Sequence, residues 1–476
     1  MRKGRKQLSS QKQPAGQAEC AANNDLFAVG IPVWYEKSGQ VNPAWLSSCE
    51  EERNRTTGLL ERITAYSNLE KAYKQVRKNG GSAGVDGVNV KEFKAWFIQN
   101  WKALQEELLT GKYEPQAVKG VEIPKPNGGV RQLGIPTVRD RVVHQAIHQV
   151  MQEIYDPTFS PNSYGFRPGR SAHQALKRCC EIVKEGKGKV VDIDLEKFFD
   201  KVNHQRLLWL LGTRIGDHRL LRLIGKLLKS GILKGGLVEQ RVQGTPQGSP
   251  LSPLLSNIVL DELDQELARR GLSFVRYADD LQIFVSSEKA ALRVLEGITG
   301  FIENRMKLKV NREKSGIRRL HEANFLGHGL LGGGKLRLSP KSEQRLKDKL
   351  KAITRRNRGV SFEQILKELE RTLRGWLHYF RYAQMKQKLT AIEGWLRRRL
   401  KCFRLKQCKR AIGIVRYLMG LGVEKTLSWR TALSGKGWWR LSNSPALSIG
   451  MNNQWFTEQG YFSLLENYRK LHRNPL

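Results

Sequence analysis

The chain has 476 residues, of which 83 are Lys or Arg and 45 are Asp or Glu, so its formal net charge is +38. This length suits roughly two to four domains, and the sequence has no run of about eighteen apolar residues that would predict a membrane span. Such an excess of positive charge predicts a polyanionic partner, because lysines and arginines that face phosphates release condensed counterions. Charge therefore indicates nucleic acid, but it does not separate an enzyme from a binding protein.

The beginning of the chain and its cysteines indicate the compartment. MRKGRKQLSSQKQ is basic and leads into no apolar stretch, so a secretory signal is not predicted. Cysteines stand at positions 20, 49, 179, 180, 402 and 408 without a CxxC pair, which argues against a zinc knuckle and a disulfide framework. We therefore expect a cytoplasmic protein.

The first part of the chain predicts a basic arm followed by helices and a hairpin. Residues 1–55 are rich in Gln, Ser, Asn, Lys and Arg and lack periodicity, so we expect a poorly ordered arm. Apolar residues at helical spacing predict one helix over Thr57–Asn79 and a second over Val90–Thr110, with glycines at 80–87 between them. Residues 120–136 predict two strands around a turn at 126–129, and another helix is expected over Val138–Ile154.

The middle of the chain predicts a mixed α/β unit. KVVDIDLEKFF (189–199) is typical of a buried strand that runs into a short helix, and GTPQGSPLSPLLSNIVLDELDQEL (244–267) of a loop that opens a helix. SFVRYADDLQIFVSS (273–287) has two apolar arms, which favours a hairpin. A helix over 288–306 and strands around 308–310 and 324–328 follow. Residues 341–410 predict basic helices, and residues 411–476 a further small region.

Aspartates on two predicted strands form the candidate catalytic site. Asp279 and Asp280 stand at the expected hairpin tip, whereas Asp192 and Asp194 share one side of the strand at 189–194. Aspartate pairs also favour ordinary turns, but like charges between apolar arms are costly without a counter-ion. Nucleotidyl transfer uses two metals about 3.5–4 Å apart, for which rigid carboxylates are suitable ligands. Two such strands in a strongly basic chain therefore favour a metal site.

These motifs resemble the conserved blocks of reverse transcriptases encoded by group II introns. Tyr277-Ala278-Asp279-Asp280 resembles the Y-x-D-D box of that family. The other blocks stand in the family's order: AGVDG (83–87), IPKPNGGVR (123–131), SYGFRPGR (163–170), DIDLEKFFD (192–200), TPQGSPLSPLLSN (245–257) and LKVNREKS (308–315). Further along, LRGWLHYFRY (373–382) and WLRRRLK (395–401) resemble the maturase or thumb domain of the same proteins.

The resemblance implies an α+β fold, a right-hand polymerase with mixed and antiparallel sheets. Its fingers and palm would occupy residues 56–335, the helical thumb or maturase domain 336–410, and a DNA- or RNA-binding region 411–476. No cysteine pairs or His-Asn-His cluster follow the maturase motifs, so we expect the form that lacks the endonuclease domain. His328 stands where the family has the second Phe of Phe-Leu-Gly-Phe, which predicts a local change in packing.

The resemblance also assigns candidate catalytic residues and metals. Its first metal-binding aspartate lies five residues before an aromatic, which selects Asp194 and identifies Phe199 as the ring that excludes a ribose 2′-hydroxyl, although an ordinary core phenylalanine is an alternative. With Asp279 and Asp280, this aspartate is expected to bind two Mg²⁺ ions, with Mn²⁺ as an alternative metal. Besides Phe199, the candidate contacts of the incoming dNTP are Lys125, Arg131, Gln247 and Lys314. Lys314 could instead be a surface lysine.

Basic residues are the candidates for nucleic-acid contacts. Arg167 and Arg170 would grip either the template or the backbone of the fingers, and the sequence does not separate these alternatives. The run Arg397, Arg398, Arg399 and Lys401 is dense in charge, which favours contacts with phosphates.

The expected function is that of an RNA-directed DNA polymerase and maturase. It would bind its own group II intron RNA, assist splicing, and reverse transcribe the intron during retrohoming. Expected partners are the intron RNA, target DNA with a primer 3′ end, and dNTPs, with no membrane or protein partner evident. Alternatives are a splicing-only maturase, a domesticated reverse transcriptase used in repair or phage defence, and an RNA-dependent RNA polymerase that shares the palm.

Overall fold

The computed structural model describes residues 51, 53–54, 56–124, 128, 130–234, 237–246 and 248–473. The arm expected over residues 1–55 lies outside this range, apart from residues 51, 53 and 54. Among the described residues, no helix is long and apolar enough to cross a lipid bilayer.

The fingers begin with helices packed around one apolar core. The single helix predicted over residues 57–79 is wrong, because Ala65 adopts φ −54° and ψ 136° and interrupts it. Thr137 caps the last of these helices by accepting a hydrogen bond from the amide of Asp140, which satisfies a backbone donor that the first turn leaves free. These helices are α1 (Leu59–Thr64), α2 (Tyr66–Asn79), α3 (Phe93–Leu109) and α4 (Val138–Tyr155).

The predicted hairpin of the fingers is confirmed and is part of a larger sheet. Strands β1 (Val118–Pro124) and β2 (Val130–Ile135) pair antiparallel. A second hairpin, β4 (Ile232–Lys234) and β5 (Leu237–Glu239), was not predicted, and its first strand pairs parallel with β1. The strand order is β2-β1-β4-β5.

The palm sheet has four antiparallel strands, which are β3 (Lys189–Ile193), β6 (Ser273–Tyr277), β7 (Asp280–Val285) and β8 (Gly316–Arg319). Their order in the sheet is β6-β7-β3-β8. The hairpin predicted over residues 273–287 is confirmed as β6 and β7. The strand predicted around 308–310 is wrong, since Val310 forms only an isolated bridge to Leu195. The helices of this part are α5 (Ala172–Lys184), α6 (Phe198–Lys201), α7 (His204–Gly212), α8 (His218–Lys229), α9 (Ser252–Arg269) and α10 (Glu288–Gly300).

A small sheet leads from the palm into the thumb. Its strand order is β12-β11-β10-β9, with β9 (Asn324–Phe325), β10 (His328–Leu331), β11 (Lys335–Leu338) and β12 (Ala383–Gln384). The helices of the thumb and of the residues that follow are α11 (Pro340–Ile353), α12 (Phe362–Phe380), α13 (Lys386–Gln407), α14 (Ala411–Gly420), α15 (Lys425–Ala432), α16 (Trp438–Leu441), α17 (Pro445–Gly450), α18 (Asn453–Glu458) and α19 (Leu464–Arg473).

One hydrophobic core runs from Leu338 to Tyr468 and joins the thumb helices to the residues beyond 410. Glu393 of α13 is only 2% exposed and links the two parts. Its carboxylate accepts hydrogen bonds from the hydroxyl of Ser463 at 2.8 Å and the amide of Leu465 at 3.1 Å, at the start of α19. Arg397 neutralises the same carboxylate at 2.6 Å. Regions 336–410 and 411–473 are therefore packed as one unit.

His328 lies fully buried between the palm and the thumb. Its ring centroid is 4.8 Å from that of Phe380 and 5.6 Å from that of Tyr379. Its Nδ1 lies 3.1 Å from the carbonyl oxygen of Leu326, whereas its buried Nε2 has no hydrogen-bond partner among the described residues. Burial lowers the pKa of His328 to about 4. The packing change predicted from the sequence thus includes an unsatisfied polar atom.

His328→Phe should raise the free energy of unfolding by about 1–2 kcal/mol at pH 7, because it removes that unsatisfied nitrogen. The unfolded imidazole has a pKa of about 6.5 and the folded one about 4. Between these values the unfolded state binds more protons, so the wild type loses stability as pH falls. The advantage of the variant should therefore widen below pH 6.5 in urea titrations. His321→Gln, an exposed control, should change stability little, and a destabilised His328→Phe would contradict the argument.

Candidate active site

The β6–β7 hairpin presents two aspartates at its tip. Tyr277 pairs with Asp280, which leaves Ala278 and Asp279 as a two-residue turn. Ala278 has φ +58°, in the left-handed region that suits such hairpin turns. The hairpin predicted from the sequence therefore has its aspartates at the end of the palm sheet.

Asp194 reaches the same end of the sheet from the neighbouring strand. Ile193 of β3 pairs with Leu281 of β7, so the next residue along β3 lies beside Asp280. The amide of Asp194 donates to the hydroxyl of Ser315 at 2.9 Å, and its Oδ2 lies 3.5 Å from Lys314 Nζ. Three aspartates and one lysine thus converge at this point.

The pKa of Asp280 is raised by its burial and by the carboxylates around it. Desolvation by the surrounding protein raises the pKa of Asp280 to about 6, and the neighbouring carboxylates of Asp279, Asp194 and Asp192 add to the rise. The described residues contain no group of three or more His, Cys, Asp or Glu already arranged around a metal position. The donor set nevertheless fits Mg²⁺, because it consists of hard carboxylate oxygens whose mutual repulsion a bound cation relieves.

Asp192 differs from Asp194 in having fixed protein partners. Its carboxylate accepts from Arg318 Nε at 2.5 Å and from Gln282 Nε2 at 2.6 Å. These contacts tie β3 to β8 and β7. Asp192 thus acts within the palm sheet, whereas the carboxylate of Asp194 has Lys314 as its one side-chain partner among the described residues.

A buried network that the sequence analysis missed supports the hairpin tip. Arg276, only 1% exposed, donates to Asp264 Oδ2 at 2.6 Å and to Asp264 Oδ1 at 2.8 Å. Its Nη1 donates to Asn257 Oδ1 and to the carbonyl oxygen of Ala278, both at 2.9 Å. Asn257 in turn donates to the carbonyl oxygen of Gly165 at 2.9 Å. An arginine in an apolar strand next to the tip is the sequence signal, since a buried cation requires a partner.

Phe199 lies at the edge of an open cleft of 1260 Å³ between the fingers and the palm. Its carbonyl oxygen accepts from the amide of Thr245 at 2.6 Å. Gly244 has φ +85°, and a Cβ there would lie 2.9 Å from Cα of Asp200, so only glycine permits this approach. His204 Nε2 lies 2.7 Å from the carbonyl oxygen of Gly244. Residues 199–204 and 243–245 therefore fix the backbone of Phe199.

Three of the predicted dNTP contacts fall outside what the structure describes. Lys125 and Gln247 lie outside the described residues, and only the backbone of Arg131, in β2, is described. Lys314 is described and faces Asp194. The roles predicted for the first three residues stay predictions.

Arg167 is bound within the fingers and palm. Its side chain is only 5% exposed and forms an ion pair with Asp156 at 2.8 Å. It also donates to the carbonyl oxygens of Ser160 and Ser163. Arg167 thus contacts the protein backbone, which is one of the two roles that the sequence left open, and its contact with the template stays a prediction. Arg170 is exposed, stacks over the ring of Tyr164 and donates to the carbonyl oxygen of Pro161.

The basic run on α13 makes internal contacts that the sequence did not predict. Arg397 pairs with Glu393, Arg398 lies 4.0 Å from the ring centroid of Trp439, and Arg399 donates to the hydroxyl of Thr354 at 2.6 Å. Burial lowers the pKa of Lys401, and the neighbouring arginines lower it further. The density of charge that we interpreted as phosphate contacts thus also serves the packing of the thumb.

Comparisons with known families agree with these motifs. The family described as "Reverse transcriptase (RNA-dependent DNA polymerase)" matches residues 123–330. The family described as "Group II intron, maturase-specific domain" matches residues 343–417.

Individual relatives are similar over about half of the chain. Protein YkfC of Escherichia coli (strain K12) is 36% identical over 293 residues, which cover 53% of this chain and 77% of YkfC. Group II intron-encoded protein LtrA of Lactococcus lactis subsp. cremoris is 30% identical over 327 residues, which cover 54% of each chain. A solved structure of a partial Cas6-RT-Cas1--Cas2 complex aligns at 25% identity over 52% of this chain and 42% of that one, with a TM-score of 0.34. From the two family matches and these relatives, the chain belongs to the group II intron-type reverse transcriptases and maturases and has their RNA-directed DNA polymerase domain.

Proposed function

We propose that this protein binds a group II intron RNA, assists its splicing and copies it into DNA during retrohoming, at a two-metal site formed by Asp194, Asp279 and Asp280. The observation that carries the proposal is the convergence of these aspartates at one end of the palm sheet, where burial, and after it the neighbouring carboxylates, raise the pKa of Asp280 to about 6. Two bound Mg²⁺ ions would supply Lewis-acid activation of the primer hydroxyl and stabilisation of the leaving oxygens.

Residues around the three aspartates would hold the nucleotide. Lys314, 3.5 Å from Asp194, is suited to neutralise part of a triphosphate, because a lysine there adds positive charge where phosphate charge accumulates. We assign Lys125, Arg131 and Gln247 to the same nucleotide on the basis of their family motifs. The ring of Phe199 would limit the space beside the sugar.

The thumb and the net charge support the maturase role. Residues 343–417 match the maturase-specific family, and a chain with a net charge of +38 gains affinity for a large RNA through counterion release. Arg170 and Arg398 are assigned to nucleic-acid contacts in addition to their internal ones, and Lys401 is assigned to the same role. The protein would then bind target DNA with a primer 3′ end as its second nucleic acid, in the cytoplasm at the nucleoid.

Primer extension by the purified chain tests the polymerase assignment. A DNA primer annealed to an RNA template should be extended with dNTPs in the presence of Mg²⁺, and EDTA should stop the reaction. Binding of a labelled intron RNA should persist in EDTA at matched ionic strength. Extension that is insensitive to EDTA, or a preference for ribonucleotides, would overturn the proposal.

Phe199→Ala should weaken the discrimination between dNTPs and ribonucleotides by about 10- to 100-fold. Contacts between a side chain and a few atoms of the substrate typically change kcat/KM by a factor of this size. The ratio of kcat/KM for dCTP and CTP at a single template position measures it. Phe199→Tyr keeps the ring and should keep the discrimination. An alanine variant with unchanged discrimination would indicate that Phe199 only packs against the palm.

A further inference from the structure

Phe166 is a large apolar residue in an unfavourable backbone conformation at the surface. Its φ is +58°, a region that bulky residues rarely adopt, and the residue is 49% exposed. The exposed apolar ring and the positive φ of the backbone each raise the free energy of the folded state. Strain of this kind is retained at binding and catalytic sites, where the surroundings enforce it.

Close contacts on both sides enforce this conformation. A Cβ on the preceding residue, Gly165, would lie 2.2 Å from the amide nitrogen of Ala278 in the catalytic hairpin. The carbonyl oxygen of Gly165 also accepts from Asn257. On the other side, Arg167 is anchored by Asp156 and by backbone carbonyls. The segment therefore cannot relax without moving the hairpin tip, and the ring of Phe166 stays exposed.

The exposed ring lines the cleft between the fingers and the palm. Phe166 and Phe199 are both part of its wall. Gln145, His148 and Gln152 face the same cleft from α4 at helical spacing, and the Nδ1 atom of His148 is buried without a partner among the described residues. Aromatic faces and uncharged hydrogen-bonding groups fit the faces and edges of nucleobases better than they fit phosphates.

We propose that the ring of Phe166 is a stacking platform for one nucleobase of the primer–template held in this cleft. The proposal rests on the proposed polymerase function, and it assigns a nucleobase as the ligand of Phe166. Because Gly165 touches the hairpin that carries Asp279 and Asp280, the stacked base is held at a constant distance from the catalytic aspartates. Phe166 then positions nucleic acid and does not take part in the chemistry.

A scan with abasic sites tests this contact base by base. Primer–templates that each lack one base near the primer end are compared for dissociation constant, by fluorescence anisotropy, and for extension. With the wild type, one abasic position should weaken binding by about 5- to 100-fold, the usual value of a base–aromatic stack. Phe166→Gly should weaken binding of the intact duplex by the same factor. In this variant, the abasic position should not weaken binding further.

The choice of variants separates stacking from folding. Glycine adopts a positive φ without strain, so Phe166→Gly removes the ring while relieving the backbone. Phe166→Tyr should retain wild-type binding, whereas Phe166→Leu should lose most of it because it has no aromatic face. Tyr66→Ala, an exposed aromatic outside the cleft, is the matched control and should bind as the wild type does.

Two outcomes would overturn the proposal. Unchanged binding by Phe166→Gly would show that the ring does not contact nucleic acid, and full binding by Phe166→Leu would show apolar contact without stacking. Both outcomes are interpreted only after the wild type has been shown to extend primers in a reaction that depends on dNTPs and Mg²⁺. Failure of the polymerase assignment itself would appear earlier and separately, as a wild type that extends no primer.

Discussion

Asp279→Ala is expected to lower primer extension by roughly 10³-fold or more, while the dissociation constant for intron RNA stays close to that of the wild type. Loss of one metal-binding carboxylate removes several kcal/mol of transition-state stabilisation, and each 1.36 kcal/mol is a factor of ten in rate. RNA affinity should persist because it depends on the many cations of a chain with a net charge of +38. Single-turnover extension and filter binding on the same preparation measure the two quantities.

Asp279→Asn is the conservative companion, since it keeps the size of the side chain and removes its charge. Glu322→Gln serves as a control, because it removes an exposed carboxylate of the palm that lies away from the tip. The control should extend primers at the wild-type rate. Substantial extension by Asp279→Ala would contradict the two-metal assignment, and equal loss of RNA binding would indicate a folding defect instead.

Arg276→Met should destabilise the palm by about 3–5 kcal/mol, because it leaves a buried carboxylate without its counter-ion. Asp264 is 0% exposed, and the cation beside it is what lowers its pKa against the rise caused by burial. The lost hydrogen bond to the carbonyl oxygen of Ala278 should in addition loosen the catalytic hairpin. Denaturant unfolding measures the first effect, and the Mg²⁺ concentration needed for half-maximal extension measures the second.

The double variant Arg276→Met with Asp264→Leu separates these two effects. With both charges replaced by apolar groups, most of the stability should return, whereas the Mg²⁺ requirement should stay raised because Ala278 has still lost its donor. If the double variant restores the Mg²⁺ requirement as well, Arg276 acts only through stability. If Arg276→Met is as stable as the wild type, the buried ion pair contributes nothing.

The local motifs of the palm could be predicted from the sequence because each is encoded by neighbouring residues. Alternating apolar arms around Asp279 and Asp280 specify a hairpin, and the apolar run before Asp194 specifies a buried strand. Their mutual position also followed, since strands that carry aspartates at their ends meet at one edge of a sheet. The roles of these aspartates stay predictions until the variants are measured.

Long-range contacts explain what the sequence did not reveal. The partners of Arg276 lie 12 and 19 residues away on α9, and nothing in the local pattern identifies them. The strand expected near Val310 failed because β8 pairs with β3 over Lys189–Asp192, and Val310 forms only an isolated bridge to Leu195. Similarly, Arg398 contacts Trp439, 41 positions along the chain, and Arg399 contacts Thr354, 45 positions before it, so a dense basic run appeared to be free for phosphates.

The buried carboxylate of Glu393 also constrains the order in which the protein is made. Its partners, Ser463 and Leu465, are translated seventy or more residues after it. Until they leave the ribosome, α13 carries an incompletely satisfied acidic group inside an unfinished apolar core. The fingers and palm can close first, because their two cores use no described residue beyond Leu336. During synthesis, the nascent chain should therefore have a folded polymerase half before its thumb is complete.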